Sequence, residues 1–269
     1  MKAFIAYLVV GKKDRYDPID EETKKILHRH FKIVTNPEEA QVILVLGGDG
    51  TMVHAIKMFH TLNIPFYGIN RGTKGFLLNN HDLKDDFTKQ LHEATDIEFP
   101  LLQVKIKSAT STAVTTVFAF NDIWTKCFSE AGQASKMRIF INGKNITMNE
   151  HCDYLSADGI IICSPGGSTA YNLSAGGLIV DPNSNGLGLT PICAFNLAFK
   201  PQLVEDTKII RVEIVEPDKR PTTVFADNHG TSQVSEFTVK KSPFSCRIFF
   251  RSDLSYHDKL DQIRFPWLQ

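Results

Sequence analysis

Residues 41–46 read Gln41-Val42-Ile43-Leu44-Val45-Leu46, and residues 47–51 continue as Gly47-Gly48-Asp49-Gly50-Thr51. An unbroken apolar run of this kind is typical of a strand that is buried on both faces of a parallel sheet. The glycines allow a sharp turn after the strand, and the spacing of Met52, Ile56 and Phe59 predicts that a helix follows. A strand, a glycine turn and a helix in this order indicate an α/β sheet with crossover connections.

The same alternation of strand and helix patterns extends to both sides of this stretch. Phe4–Val10 predicts a first strand, and residues 20–31 predict a helix with acidic side chains early and basic ones late. Residues 64–69 predict the strand that follows the central helix. We therefore expect residues 1–99 to form an α/β domain with a Rossmann-like parallel sheet, similar to flavodoxin or phosphofructokinase.

Beyond Pro100 the sequence changes to short runs that are rich in β-forming residues. They predict strands over residues 102–107, 113–120, 137–141, 159–163, 208–215, 222–226 and 237–240. Asn142-Gly143 lies between two β-rich runs, which is the strongest short-range signal of a hairpin. We expect residues 100–252 to form a mostly β domain, and the aromatic tail of residues 253–269 can pack back on the first domain.

The charge balance and the cysteines limit the kinds of binding partner and the cellular compartment that the sequence predicts. Lysine plus arginine equals aspartate plus glutamate at 30 each, so no overall basic field favours nucleic acid or anionic lipid. No run approaches the roughly 20 apolar residues of a membrane span, and the N-terminal apolar run lacks a signal-peptide cleavage pattern. The five cysteines are widely spaced and form no C-x-x-C pair, which favours reduced thiols in a cytoplasm. We expect a cytoplasmic protein with no nucleic-acid partner, no membrane partner and no protein-held metal.

The turn of residues 47–51 has the chemistry of a phosphate site, for which Gly47, Gly48, Gly50 and Thr51 are the candidate residues. Glycine lets the backbone N–H groups approach an anion, and the following helix N-terminus adds partial positive charge. Asp49 would repel phosphate unless it accepts the proton of an attacking hydroxyl or helps to hold a phosphate-bound metal ion. The alternative is a simple turn in which Asp49 caps the helix. The dehydrogenase fingerprint G-x-G-x-x-G is absent here.

A second turn, rich in glycine and hydroxyl groups, follows the predicted strand at residues 159–163. Residues 164–177 read SPGGSTAYNLSAGG. Pro-Gly-Gly makes a tight turn, and Ser168 or Thr169 can cap a helix. Tyr171 and Ser174 are three residues apart, so one helix face would offer a ring and a hydroxyl to a ligand. The alternative is a strand–turn–helix joint whose glycines serve packing only.

The two turns together, GGDGT at residues 47–51 and GGSTAYNLSAGG at residues 166–177, strongly resemble the NAD kinase family of bacterial type. The resemblance covers roughly residues 41–230. GGDGT alone also occurs in lipid kinases and phosphofructokinases, so the second motif is the specific one. Further landmarks in the family's order are NRGTKGFL at 70–77, FND at 120–122, SADG at 156–159, LTPIC at 189–193 and VFAD at 224–227.

The resemblance implies an enzyme that uses ATP with a divalent cation, Mg²⁺ above all, to phosphorylate the adenosine ribose 2′-hydroxyl of NAD and give NADP. Asp49 would be the general base, with Gly50 beside the nucleotide. Asn121 would hydrogen-bond the adenine edge and Asp122 the ribose hydroxyls. Asp158 would contact the dinucleotide, in this family sometimes from a neighbouring subunit, which implies a homodimer or homotetramer. The other implied NAD contacts are Phe76, Gly166, Thr169, Ala170, Tyr171, Asn172, Ser174 and Cys193.

Several positions depart from the family's pattern. Asp122 is one methylene shorter than the family's glutamate, and Ser156 stands where arginine is frequent. Ala194-Phe195 replaces a frequent Pro-His, so that Phe195 would either pack on the nicotinamide side or fill the core. Lys74 replaces a usual apolar residue, and it would approach phosphate or simply be solvated. A literal Asn-Glu pair at residues 149–150 follows the hairpin and is interpreted as unrelated to the family's pair.

Two other functions remain open from the sequence. A lipid kinase would share the GGDGT turn, although no amphipathic apolar segment for extracting a lipid is conspicuous and G-S-T-A-Y is not the signature of that group. A non-catalytic NAD-binding or sensing module would fit the departures at Asp122, Ser156 and residues 194–195. Asp49 favours turnover, because a pure binding protein gains little from a carboxylate beside phosphate.

Overall fold

The computed structural model describes residues 4–11, 19, 21–72, 75–80, 86–148 and 152–264. The chain divides into two compact units. The first, called the α/β unit, runs up to Glu98 and resumes at Ser245; the second, called the β unit, is Phe99–Phe244. The prediction of an N-terminal α/β fold followed by a mostly β fold is confirmed.

The helices and strands follow in chain order. The first stretch contains β1 (Phe4–Val10), α1 (Glu21–His30), β2 (Phe31–Val34), β3 (Val42–Gly47), α2 (Asp49–Phe59), β4 (Phe66–Asn70) and α3 (Phe87–His92). The middle contains β5 (Thr95–Ser108), β6 (Val114–Ala119), β7 (Asp122–Cys127), β8 (Ser135–Ile141), β9 (Lys144–Asn145), β10 (Leu155–Ala157), β11 (Gly159–Cys163), α4 (Tyr171–Ser174), β12 (Gly186–Ile192), β13 (Gln202–Glu205), β14 (Ile210–Ile214), β15 (Thr222–Ala226) and β16 (His229–Thr231). The last elements are β17 (Val234–Phe250) and α5 (Tyr256–Arg264), and short 3-10 helices cover Pro37–Glu39, His60–Leu62 and Pro182–Ser184.

The α/β unit is organised around a parallel sheet. Its strands lie in the order β2-β1-β3-β4-β17, and every neighbouring pair is parallel. All six residues of β3 are buried, which explains why its sequence is an uninterrupted apolar run. The predicted helix over residues 20–31 is wrong at its end, because Phe31 is buried and begins β2 beside Phe4. The carboxyl end of β3 therefore delivers the chain directly to the turn of residues 47–51.

The β unit contains two sets of antiparallel strands. One has the order β13-β12-β11-β7-β15-β16, and the other joins β10, β8, β14 and the first part of β17. Both contribute to one apolar core, in which alternate residues such as Ile160 and Ile162 of β11 and Ile210 and Val212 of β14 take part. This packing fixes the start of β7, where Asp122 lies, and the end of β15, which Asp227 follows.

The predicted Asn-Gly hairpin is confirmed. β8 and β9 pair in antiparallel fashion, and the two residues that join them, Asn142 and Gly143, have φ angles of 47° and 84°. A two-residue hairpin turn of this hand requires positive φ at both positions, which asparagine and glycine adopt most readily.

Two further observations concern membrane-spanning helices and the state of the cysteines. Within the described ranges, no helix combines the length and the apolar character needed to cross a membrane. Each of the five cysteines carries a free thiol.

Candidate functional site

The turn of residues 47–51 joins β3 to the start of α2. Gly48 is the N-cap of α2 and has extended backbone angles, and no side chain caps the helix. Asp49 is the first helical residue, so the interpretation of Asp49 as a helix cap is wrong. The Thr51 and Met52 N–H groups donate to the Gly48 carbonyl at 2.9 and 3.2 Å, and the helix N-terminus that they belong to follows a turn made largely of glycine.

The glycines of this turn have two different environments. A Cβ on Gly47 would overlap the side chain of Thr51, so Gly47 is required by close packing inside the protein. Thr51, which was predicted to bind phosphate, packs its side chain against Gly47 and Gly11. Gly48 and Gly50 face open space, since a Cβ on either would meet no described atom within 4 Å. The open side of the turn is therefore the part of the backbone around Gly48 and Gly50.

Asp49 is held by the backbone of a second turn, formed by residues 75–78. Its Oδ2 accepts the N–H of Phe76 at 3.1 Å, and its Oδ1 accepts the N–H of Leu77 at 2.8 Å. Each oxygen keeps further acceptor capacity, because a carboxylate oxygen has more than one lone pair. The carboxylate is thus fixed in orientation and still able to accept a hydrogen bond from a ligand.

Lys259 of α5 supports the same 75–78 turn. Its ammonium group donates to the carbonyl oxygens of Gly75 at 3.1 Å, of Phe76 at 3.2 Å and of Leu78. The residue is only 6% exposed, and burial lowers the pKa of the ammonium group to about 8 against the opposing effect of the Asp49 charge.

In the β unit, Asp227 organises the corner of residues 120–122, which leads into β7. Its carboxylate accepts the N–H groups of Phe120 at 2.9 Å, Asn121 at 2.8 Å and Asp122 at 3.3 Å. Asp227 has a φ of 51°, a conformation that aspartate tolerates better than most residues. The three N–H groups of the corner are therefore oriented by one carboxylate, that of the residue directly after β15.

Asp122 is a buried carboxylate at this corner. It is 4% exposed, and no described residue donates a hydrogen bond to its side chain. Burial raises the pKa of this carboxyl to about 7, and the charge of Asp227 adds to the effect. Burial, followed by the charge of Asp122, raises the pKa of the neighbouring Cys163 thiol to about 12, so Cys163 is not a nucleophile. At this corner the Asp122 side chain therefore keeps acceptor capacity that the described residues do not use.

The second glycine turn packs directly on this corner. The N–H of Ser164 donates to the Asn121 carbonyl at 2.9 Å, and its hydroxyl donates to the Phe120 carbonyl. A Cβ on Gly166 would strike the Phe120 ring, and one on Gly167 would overlap the Asn121 backbone. These glycines therefore serve close packing of protein against protein.

An aromatic group lies beside the corner. The rings of Trp124 and Phe225 are stacked at 4.0 Å, and the Trp124 indole N–H donates to the Asp227 carbonyl at 3.3 Å. Tyr171 meets Trp124 edge-on at 5.4 Å and remains 40% exposed. Tyr171 and the exposed Ser174 are the first and last residues of α4, and a shared ligand-facing side of this helix stays a prediction.

Comparisons with known proteins agree along the whole chain. The family models described as ATP-NAD kinase N-terminal domain and C-terminal domain match residues 9–97 and 132–249. The NAD kinase of Rickettsia felis is 36% identical over 261 residues, which is 96% of each chain, and that of Rickettsia conorii is 37% identical over the same length and shares.

The chain belongs to the NAD kinase family. This confirms the family that the two motifs indicated and removes the lipid kinase interpretation.

Two solved structures show the same fold. Yeast NADH kinase complexed with NADH is 23% identical and has a TM-score of 0.79, with 97% of this chain and 86% of that chain covered. The NAD kinase of Archaeoglobus fulgidus in complex with ATP is 24% identical and has a TM-score of 0.73, with 97% and 98% covered. The α/β and β units are thus those of the NAD kinase fold.

The implicated residues of the second glycine turn differ in burial. Asn172 is fully buried, its Nδ2 donates to the carbonyls of Ser168 and Leu178, and its Oδ1 accepts the Thr190 hydroxyl. The Asn172 side chain therefore holds the loop together, and its implied contact with NAD stays a prediction. The prediction of a Ser168 or Thr169 cap is wrong, because Ala170 is the N-cap of α4 and no side chain caps this helix. Thr169 and Ala170 are partly exposed.

A second group of implicated residues lies on the surface of the β unit. Asp158 and Cys193 are both exposed, and the Asp158 N–H donates to the carbonyl of Ile192, next to Cys193. Phe195 is 83% exposed, so the interpretation that it fills the core is wrong, whereas Ala194 packs against the core. Lys74 and the pair at residues 149–150 lie outside the described residues.

Three residues that shape these regions were missed as site residues: Asp227, Trp124 and Lys259. The VFAD motif at residues 224–227 was a signal for Asp227, and it was noted only as a landmark. Lys259 had no such signal, because nothing in its neighbourhood distinguishes it from a solvated lysine. Its role follows from contacts with residues 181 positions earlier in the chain.

Proposed function

We propose that this chain transfers the γ-phosphoryl group of ATP to the 2′-hydroxyl of the adenosine ribose of NAD, giving NADP, with Asp49 as the general base. The observation that carries this proposal is the Asp49 carboxylate, which two backbone N–H groups orient at the start of α2 beside the open residues Gly48 and Gly50. Membership of the NAD kinase family supports the choice of acceptor and donor.

Asp49 has the properties that a base for a hydroxyl needs. Its orientation is set by the N–H groups of Phe76 and Leu77, so little ordering is required when substrate arrives. Its remaining lone pairs can accept the hydroxyl proton as the oxygen attacks phosphorus. In phosphoryl transfer most of the protein's contribution is positioning and charge stabilisation, and open glycine N–H groups at a helix N-terminus supply both.

The β unit is proposed to recognise the adenosine part of NAD. Asp122 is a buried acceptor with no described protein donor, and the two ribose hydroxyls would provide donors for it. Asn121, whose backbone is fixed by Asp227 and Ser164, would present its side-chain amide to the adenine edge. Tyr171 would supply a ring face at one end of α4 and Ser174 a hydroxyl at the other. Phe76, Gly166, Thr169, Ala170, Asp158 and Cys193 are retained as further proposed contacts.

A divalent cation, Mg²⁺ above all, is proposed to arrive with ATP. The described residues contain no group of three or more histidine, cysteine, aspartate or glutamate side chains that could hold an ion. Mg²⁺ is commonly held by substrate phosphates with few protein ligands, so a cation that ATP carries does not require such a group. When bound, the cation would neutralise charge on the phosphates.

Assembly and location are also proposals. An exposed Asp158 is suited to contact a dinucleotide held by a neighbouring subunit, which supports a homodimer or homotetramer. Five free thiols support a reducing compartment such as the cytoplasm.

The test is to incubate the purified protein with NAD, ATP and Mg²⁺ and to measure NADP by a coupled dehydrogenase assay. We expect Asp49→Asn to lower kcat on the order of 10²–10⁴-fold and to leave NAD affinity, measured by calorimetry, nearly unchanged. Asp86→Asn is the matched control, because Asp86 also accepts two backbone N–H groups in the same unit but only caps α3. It should keep full turnover.

Two outcomes would contradict the proposal. If the wild-type protein forms no NADP while NAD still raises its melting temperature, the chain is a binding or sensing module. If Asp49→Asn turns over at the wild-type rate, Asp49 is not the base.

A further inference from the structure

We propose that Lys259 is a positioning residue for phosphoryl transfer, because it holds the 75–78 turn in the geometry in which that turn orients Asp49. This inference rests on the proposed role of Asp49. Lys259 lies on α5, far along the chain from the GGDGT turn; its ammonium group hydrogen-bonds the backbone of the 75–78 turn, and the Asp49 charge also acts on it through space.

The turn is held from two sides by opposite charges. The N–H groups of Phe76 and Leu77 donate to the Asp49 carboxylate at 3.1 and 2.8 Å. The carbonyl groups of Gly75, Phe76 and Leu78 accept from the Lys259 ammonium group. Phe76 takes part on both sides, with its N–H toward the carboxylate and its carbonyl toward the ammonium. Movement of the ammonium group would therefore be transmitted to the hydrogen bonds that orient Asp49.

The burial of Lys259 argues that its charge has a purpose beyond packing. At 6% exposure an ammonium group loses most of its hydration, and its carbonyl partners, the Phe250 ring at 5.4 Å and the Asp49 charge offset that loss. A methionine of similar length would fill the same space without a desolvation cost. Costly buried charges of this kind occur preferentially at functional sites.

Packing by α5 is supplied by other residues on the same helix. Tyr256 and Leu260 are fully buried, and the Tyr256 ring meets Phe76 edge-on at 5.2 Å. The contribution of α5 to stability can therefore be separated experimentally from the contribution of the ammonium group.

The test compares Lys259→Met with Leu260→Ala in the full-length enzyme. We expect Lys259→Met to lower kcat by roughly 10–100-fold with little change in KM for ATP, since misplacement of a catalytic group by about 1 Å can cost 10²-fold. Leu260→Ala should lower the melting temperature and keep kcat near the wild-type value below that temperature. Lys259→Gln, which retains an N–H donor for the carbonyls, replaces Lys259→Met if the latter does not fold.

Hydrogen exchange at the Phe76 and Leu77 amides provides a readout that does not depend on turnover. We expect their exchange to accelerate in Lys259→Met more than in Leu260→Ala. Unchanged exchange together with wild-type kcat would overturn the inference, while NADP formation by the wild-type protein would leave the proposed function intact. Absence of NADP with the wild-type protein would overturn the proposed function, and the exchange data would still decide whether Lys259 orients Asp49.

Discussion

The turn that carries Asp49 contains glycines and the corner that carries Asp122 packs against a turn that contains them, but the two sets of glycines have opposite environments. At the first, Gly48 and Gly50 face open space and the carboxylate is satisfied by two backbone N–H groups. At the second, Gly166 and Gly167 are crowded by Phe120 and Asn121, and the buried Asp122 carboxylate has no described donor.

This difference indicates how each region can bind a ligand. Where glycine is open, the backbone itself is available and an anion can approach its N–H groups. Where glycine is crowded, the backbone packs against other protein atoms and is not accessible to a ligand. Ligand recognition then depends on side chains that this packing holds in place. The same residue type therefore has to be interpreted from its surroundings.

The most sensitive test of this difference in glycine packing is to add one methyl group to each region. Gly167→Ala should lower the free energy of unfolding by about 4 kcal/mol or more, because its Cβ would overlap backbone atoms of Asn121 that cannot move independently. Gly48→Ala, the matched control, should leave stability nearly unchanged and raise KM for ATP. Denaturant unfolding and steady-state kinetics measure both effects, and equal stability losses would mean that the two turns do not differ.

The pH dependence of stability sharpens the contrast between the two carboxylates. The pKa of Asp122 is about 7 in the folded protein against 3.8 for an ordinary aspartate, so its stabilising contribution is present below pH 4 and is lost as pH rises through 7. Relative to the wild-type protein, Asp122→Asn should therefore gain up to about 3 kcal/mol between pH 4 and pH 7. Thermal melts without ligand across this range test the expectation. Parallel curves for the two proteins would contradict it.

The smallest expected effect concerns the ring beside the corner. Tyr171→Ala should weaken NAD binding by about 1–2 kcal/mol, on the order of tenfold, because it removes an exposed ring that Trp124 holds edge-on. ATP affinity should change less. Calorimetric titration with each nucleotide makes the comparison, and equal losses would indicate that Tyr171 supports only the fold of its own loop.

Much of the fold was predictable because its signals are local. β1, β3 and the helix after the GGDGT turn follow from apolar periodicity, and the hairpin follows from the positive φ that Asn142 and Gly143 accept. β12 was missed because its sequence, GLGLTPI, contains residues that strands usually avoid. Gly188 occurs there because a Cβ would crowd the Cys163 sulfur on the neighbouring strand. Such a reason is visible only once the strands are paired.

The residues of the candidate site also differ in whether the sequence could predict them. Asp49 and Asp122 could be named from motifs, since each lies at a strand end with a recognisable flanking sequence. The residues around them could not be predicted, because their hydrogen bonds join distant parts of the chain. Asp227 and Asp122 are 105 positions apart, and Lys259 and Leu78 are 181 positions apart. The internal role of the Asn172 amide and the exposure of Phe195 likewise depend on which face of the folded loop each residue occupies.

The discontinuity of the α/β unit has a consequence for synthesis on the ribosome. β4 pairs with Ile248 and Phe249 of β17, and α5 follows later still, whereas the whole β unit lies before these residues in the chain. The β unit has been fully synthesised once Phe244 has left the exit tunnel. The sheet of the α/β unit, whose first strands are synthesised earlier, is completed only when the end of β17 has also emerged. Translation therefore reverses the order of completion, and a chain truncated before β17 ends would leave an open edge on β4, the kind of unpaired strand that promotes aggregation.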